Sequence, residues 1–175
     1  ILSKILIKNN FKVFGITKIK NKKKKIKGVT YLRCNLNNFI DINNLIKTLK
    51  PNCIVHLGSE NPSYKELKKK KDFYHKNLIA IKNLINSIIL NEKKIKFIFP
   101  GSSQMYGNLK KKVSEKNKFS PTNSYAKFRV DGHNFIMAYK RIYGLIITTI
   151  ILFNHDSIYR NKKFILPRLI KAFKN

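Results

Sequence analysis

Phe97-Ile98-Phe99-Pro100-Gly101-Ser102-Ser103-Gln104-Met105-Tyr106-Gly107 is an apolar run that breaks at a glycine into two hydroxyls. A buried strand delivering serines into a pocket would read this way. Further on, Ser124-Tyr125-Ala126-Lys127-Phe128-Arg129 sets a phenol and a cation four residues apart, so a helix points both the same way. Lys127, two residues from Tyr125, would face away on that helix. A second apolar run, residues 145–153, ends in Asn154-His155-Asp156. Two strand exits and a helix carrying a tyrosine and a cation are the parts of a site at the edge of a parallel sheet.

The flanking sequence alternates short apolar runs with helical stripes. Residues 1–10 carry apolar side chains at positions 1, 2, 5 and 6 and end at Asn9-Asn10, as a helix would. Residues 11–16 read as a short strand, 18–27 as a basic loop and 29–34 as the next strand. Ile42, Leu45, Ile46 and Leu49 recur at helical spacing until Pro51 stops them. Residues 53–57 form an apolar strand that ends at Gly58-Ser59. After Pro62 a lysine-rich stretch leads into a helix with Leu78, Ile81, Leu84, Ile85 and Ile88 inward. Residues 97–99 make a strand, 124–143 a long helix, 146–153 a strand and 164–174 a last helix. Repeated β-α units with continuous apolar strands predict an α/β fold with a doubly wound parallel sheet covered on both faces.

At 175 residues the chain is one domain, and 43% hydrophobic residues suffice for a core. It opens at Ile1 inside what reads as a helix, which points to a fragment. It has no charged-then-apolar leader and no apolar run of about 18 residues, so the expectation is a cytoplasmic protein without a membrane span. Cys34 and Cys53 each lie in an apolar run and are expected as buried, reduced thiols. Cys53 and His56 are spaced like a metal pair, but on a strand they face opposite sides, so no metal site is expected. The formal charge of +30 admits a nucleic-acid partner through residues 20–27, 68–71 and 110–112. Lysine, asparagine and isoleucine are all abundant, however, and no aromatics alternate with the lysine clusters as a stacking surface needs. Compositional bias explains the charge better, and a nucleic-acid partner is not expected.

Three features carry a family resemblance: the Ser102-Ser103-x-x-Tyr106-Gly107 turn, the Tyr125/Arg129 pair, and Ile151-Leu152-Phe153-Asn154-His155-Asp156-Ser157. Together they resemble the extended short-chain dehydrogenase/reductase family of NAD-dependent epimerases and dehydratases. Within it the strand exit from Leu152, with Arg160 beyond, is most similar to the GDP-mannose 4,6-dehydratases. The similarity spans nearly all of the chain. It implies a Rossmann-like doubly wound domain over residues 1–175, truncated at both ends, because no G-x-x-G-x-x-G turn is present and the family's substrate-binding region follows Asn175. It also implies NADP, with NAD possible, as cofactor, a nucleotide sugar such as GDP-mannose as substrate, and a homo-oligomer in the full-length form.

The same resemblance assigns roles. Tyr125 matches the acid/base that exchanges the sugar 4-hydroxyl proton while hydride moves, and a neighbouring cation stabilises the charged phenol. Arg129 stands where the family has lysine; it keeps the charge but presents a planar fork. Ser102 matches the hydroxyl that bonds the sugar 4-oxygen, and Ser103 and Asn154 join it as substrate contacts. Gln104 occupies the position of the dehydratase glutamate, and an amide is no base. For the cofactor, Asn35 and Leu36 match an Asp-Leu pair beside the adenine. Leu57, Gly58, Ser59, Glu60 and Asn61 match the turn near the ribose and nicotinamide, and His155 and Arg160 the last strand exit. Lys18 follows the second strand of the unit, where an acid would serve NAD and a base serves NADP. The implied activity is conversion of GDP-mannose to GDP-4-keto-6-deoxymannose. The alternatives are a related nucleotide-sugar reductase or epimerase, which needs no glutamate at 104, and a degenerate, non-catalytic fragment or basic binding module.

Overall fold

The computed structural model describes residues 1–18, 26–59, 72–91, 94–108, 112–155, 157 and 165–173. Its strands are all parallel. β1 (Val13–Thr17) pairs with β2 (Val29–Arg33), Val13 lying opposite Val29 and Thr17 opposite Arg33. β3 (Cys53–Val55), β4 (Lys96–Ser102) and β5 (Ile147–Leu152) form a second piece in that order. The helices are α1 (Leu2–Lys8), α2 (Phe39–Leu49), α3 (Phe73–Asn91), α4 (Ser124–Tyr143) and α5 (Ile165–Ala172). The α/β parallel architecture is the one the sequence predicts, although among the described residues no hydrogen-bonded ladder joins β1 to β3.

Local chemistry sets the helix starts. Asn38 Oδ1 accepts from Ile40 N at 3.0 Å and Asp41 N at 3.3 Å, satisfying two donors at the start of α2. Asn123 Oδ1 does the same for Ala126 N at 2.9 Å at the start of α4. At its other end α4 closes on Gly144 in the left-handed conformation, with φ of 67°.

The core lies where α2, α3 and α4 meet β4. Along β4 the side chains alternate, and Phe97 and Phe99 are buried against Ile81, Leu84, Ile85 and Ile88 of α3 and Phe128 and Ile136 of α4. Ile42 and Ile46 of α2 complete the cluster. On the opposite face, among the described residues, Ile150 and Leu152 of β5 are 44% and 39% exposed, and Ile165, Leu169 and Ile170 of α5 are exposed as well.

Two expectations are corrected. The strand expected over residues 97–99 is longer, β4 running from Lys96 to Ser102. β3 contacts β4 only as far as Val55 opposite Ile98, with His56 N–H donating to Ile98 O at 3.0 Å just beyond. Pro100 faces the same side but lies past the end of β3, so its missing N–H leaves no ladder bond unmade. Cys53 is exposed rather than buried, since it opens a three-residue strand and points away from the core; Cys34 is buried, and both thiols are free.

Gly132 is what allows α4 to lie so close. A Cβ there would stand 2.9 Å from Ile81 Cδ1 and 3.1 Å from Phe99 Cζ, and both side chains are fully buried. Gly132→Val should therefore destabilise the fold by about 1–3 kcal/mol through overpacking. Urea unfolding measures this, and an unchanged midpoint would contradict the packing described.

Candidate active site

Parallel strands present all their carboxyl ends on one edge, and the start of α4 lies there too. Tyr125 sits in the first turn of α4 and Arg129 one turn later. Arg129 is 6% exposed. Its Nε donates to the Tyr125 hydroxyl oxygen at 3.2 Å and its Nη1 to the Pro100 carbonyl at 2.8 Å. That carbonyl is available because β3 has ended. The guanidinium also lies over the rings of Phe128, Tyr125 and Phe99, 4.8, 5.2 and 5.6 Å from their centroids. Lys127 is exposed, as its spacing implies.

Past β4 the chain turns through a short 3-10 helix, Ser103–Tyr106. Ser102 Oγ accepts from Gln104 N–H at 3.3 Å, which leaves its own hydrogen free to donate outward. Ser103 is half-buried beside it. The exposed Gln104 reaches across to α4, where its Oε1 accepts from Asn123 Nδ2 at 3.1 Å. Since Asn123 is the cap of α4, Gln104 ties the serine turn to the helix that carries Tyr125.

His56, at the exit of β3, is 3% exposed. Its ring stacks on Phe97 and Phe99 with centroids 6.2 and 6.3 Å apart, and its Nε2 is hydrogen-bonded to Ser59 Oγ at 3.3 Å. Burial, and then the charge of Arg129, push its pKa from 6.5 down to about 4. Among the described residues no group of three or more His, Cys, Asp or Glu could hold a metal ion.

A cavity of about 220 Å³ is lined by Ile16, Lys18, Asn35, Leu36, Gly58 and Ala80 among others. Four residues expected at a cofactor thus share one wall: Lys18, Asn35, Leu36 and Gly58. The lining is chemically compatible with an adenosine: Ile16, Leu36 and Ala80 offer apolar surfaces for a purine, and Asn35 offers a polar side chain. At Gly58 a Cβ would meet Leu36 Cδ1 at 2.7 Å, so a larger residue there would crowd the wall. The loop is fixed from α3, where Asn83 Nδ2 donates to Leu36 O at 3.2 Å and Lys76 O accepts from Asn37 Nδ2 at 2.7 Å.

Other expected residues do not join this wall. Leu57 is 63% exposed, and Ser59 is held by His56. Asn154 and His155 are exposed beyond β5, where His155 Nδ1 bonds Phe153 O at 2.8 Å. Glu60, Asn61 and Arg160 lie outside the described residues. Asn123 was missed although a cap residue directly before a helical stripe is a readable signal. The Pro100 carbonyl and the setting of His56 left no local signal.

The parallel α/β fold is that of a Rossmann-like domain. Residues 2–175 match the GDP-mannose 4,6 dehydratase family, and the chain belongs to it. It is 34% identical over 82 residues to GDP-mannose 4,6 dehydratase 1 of Arabidopsis thaliana, covering 47% of this chain and 23% of that protein. A putative epimerase from Burkholderia cenocepacia superposes with a TM-score of 0.85 at 18% identity, covering 98% of this chain and 55% of that one. The dTDP-glucose 4,6-dehydratase of Bacillus anthracis, solved in complex with NAD, gives a TM-score of 0.83 at 16% identity over 98% and 56%. The chain thus spans about a quarter of the plant relative and just over half of these solved chains.

The position of His56 makes stability depend on pH. Between pH 6.5 and 4 the unfolded chain takes up a proton that the folded one refuses, so this contribution is complete above 6.5 and declines as pH falls toward 4. The full swing is on the order of 3 kcal/mol. In His56→Leu the loss of stability from pH 7 to pH 4.5, read from urea midpoints, should be clearly smaller than in the parent protein. Equal losses would show that His56 is not the responsible group.

Proposed function

We propose that this protein acts as a GDP-mannose 4,6-dehydratase, converting GDP-mannose to GDP-4-keto-6-deoxymannose with NADP. The observation that supports this most is the Tyr125 hydroxyl, held by Arg129 at the carboxyl edge of the sheet in a chain of this family. Tyr125 accepts the proton of the sugar 4-hydroxyl as C4 is oxidised. Ser102 donates its remaining hydrogen to the same oxygen and keeps it in line with the phenol. Arg129 holds the Tyr125 ring and stabilises the phenolate that takes up this proton. Lys18, Asn35, Leu36 and Gly58 would hold the adenosine end of the dinucleotide. NADP, when bound, supplies the hydride acceptor for C4 and returns the hydride after water has left.

Dehydration also needs a base for the C5 proton, and Gln104 cannot be one. This observation favours a second reading, a reductase or epimerase acting at C4 of a nucleotide sugar, where no such base is required. A non-catalytic basic module is a third, and salt-dependent RNA binding would support it.

Product analysis with GDP-mannose and NADP tests these readings. Turnover to the 4-keto-6-deoxy sugar should be slow, should rise by about 10² to 10⁴ in Gln104→Glu, and should vanish in Tyr125→Phe. Turnover unaffected by Tyr125→Phe would refute the assignment of the phenol. A C4 epimer or a C4-reduced sugar as the only product would establish the second reading instead.

A further inference from the structure

Between Gly107 and Ser120 the chain leaves the serine turn and comes back to it before α4 begins. Gly107 turns with φ of 71°, and a Cβ on it would collide with Ser120 O. Ser120 N–H donates to Met105 O at 2.9 Å, inside the 3-10 turn that follows Ser102. Phe119, the residue before, is half-buried. Its ring packs on Tyr106 of that turn, centroids 5.2 Å apart, and meets the ring of His133 at 5.2 Å and a near right angle of 84°. His133 lies on α4, about two turns beyond Tyr125, and its Nδ1 is hydrogen-bonded to Thr149 Oγ1 of β5 at 3.0 Å. Tyr106 is 3% exposed and lies 6.4 Å from the ring of Phe153, past the end of β5. Phe119 thus touches the serine turn on one side and the tyrosine helix on the other.

We propose that Phe119 is a positioning residue: wedged between Tyr106 and His133, it sets the spacing at which Ser102 and Tyr125 address one substrate oxygen. This rests on the reading of those two hydroxyls as the groups that act on the sugar 4-oxygen. Ser102 ends β4 and Tyr125 begins α4, so their separation depends on how the turn is held against the helix. The other ties do this less well. The bond from Asn123 to Gln104 is exposed, and water competes there for both partners. The bond from Ser120 to Met105 fixes the returning chain to the turn but does not reach the helix. An aromatic ring suits the task, because it is rigid and fills the gap with few torsions to order. The described ring contacts of Phe119 are with Tyr106 and His133 and not with Tyr125, so it acts on alignment and not on the acidity of the phenol.

The test is steady-state turnover of GDP-mannose with NADP, following any change at C4, in the parent chain and in Gln104→Glu. In either background Phe119→Ala should lower kcat about tenfold or more while KM changes by less than about threefold. The limb of the pH–rate profile that reports Tyr125 should stay where it is. Phe119→Leu, which keeps most of the apolar bulk, should recover part of the loss. Trypsin supplies a readout without turnover: cleavage after the exposed Lys116 and Lys118 should be several-fold faster in Phe119→Ala, since the ring anchors that stretch. An unchanged kcat, a rise confined to KM, a shifted pH limb, or a fall in kcat matched by an equal loss of folded protein would each overturn the positioning role while the functional reading stands. Equal cleavage rates would overturn the anchoring itself. No turnover in either background would overturn the functional reading and the positioning role with it.

Discussion

The Arg129 guanidinium is buried without a carboxylate partner among the described residues, an arrangement that is strongly unfavourable unless its N–H groups are satisfied. Here two of its five N–H groups donate, to the Pro100 carbonyl and the Tyr125 hydroxyl, and the faces of Phe99, Phe128 and Tyr125 stabilise the charge further. Several features of the fold follow from this need. β3 has to stop at Val55, because a longer strand would reach the side of β4 to which Pro100 O points. Proline at 100 suits that place, since it offers an acceptor and no donor. Gly132 has to be small so that α4 can bring Arg129 down onto β4. His56 has to remain neutral, because a second cation beside the first would be buried and unpaired.

The direction of the Arg129–Tyr125 bond matters for chemistry. A phenol has one hydrogen to donate and lone pairs to accept with. Arg129 can only donate, so it occupies a lone pair and leaves the phenol hydrogen to point elsewhere. Ser102 repeats the pattern, accepting from Gln104 N–H and keeping its hydrogen. Two hydroxyl oxygens at the same sheet edge thus each accept from a group of the protein itself. Lysine at 129 would supply charge as well, but a point charge cannot bridge Pro100 O and Tyr125 Oη with the fixed geometry of a planar fork.

The features that could be read from the sequence are those whose causes are local. The Tyr125/Arg129 pairing follows from one helical turn, and α4 occupies the residues 124–143 expected for it. Lys18, Asn35, Leu36 and Gly58, which the family resemblance names for the cofactor, line one cavity. What escaped depends on partners distant in the chain. Cys53 reads as buried because its neighbours are apolar, while a three-residue strand gives its first side chain little cover. His56 reads as half of a weak metal pair, and its real environment comes from Phe97 and Phe99, some forty residues on.

Position 104 separates what the fold requires from what the chemistry requires. Asn123 Nδ2 needs an acceptor there, and Gln104 Oε1 is one. A glutamate oxygen would serve equally, and its charge would lie near the start of α4, where the backbone N–H groups and the helix dipole favour an anion. The tether between the serine turn and the tyrosine helix therefore does not depend on the amide. Stability gives no reason to prefer glutamine, and the geometry around Tyr125 and Ser102 can be maintained with either side chain. The difference between the two falls almost wholly on proton abstraction, which an amide cannot perform. Within the proposed function, position 104 is thus the side chain on which a 4,6-dehydration and a simpler C4 chemistry differ.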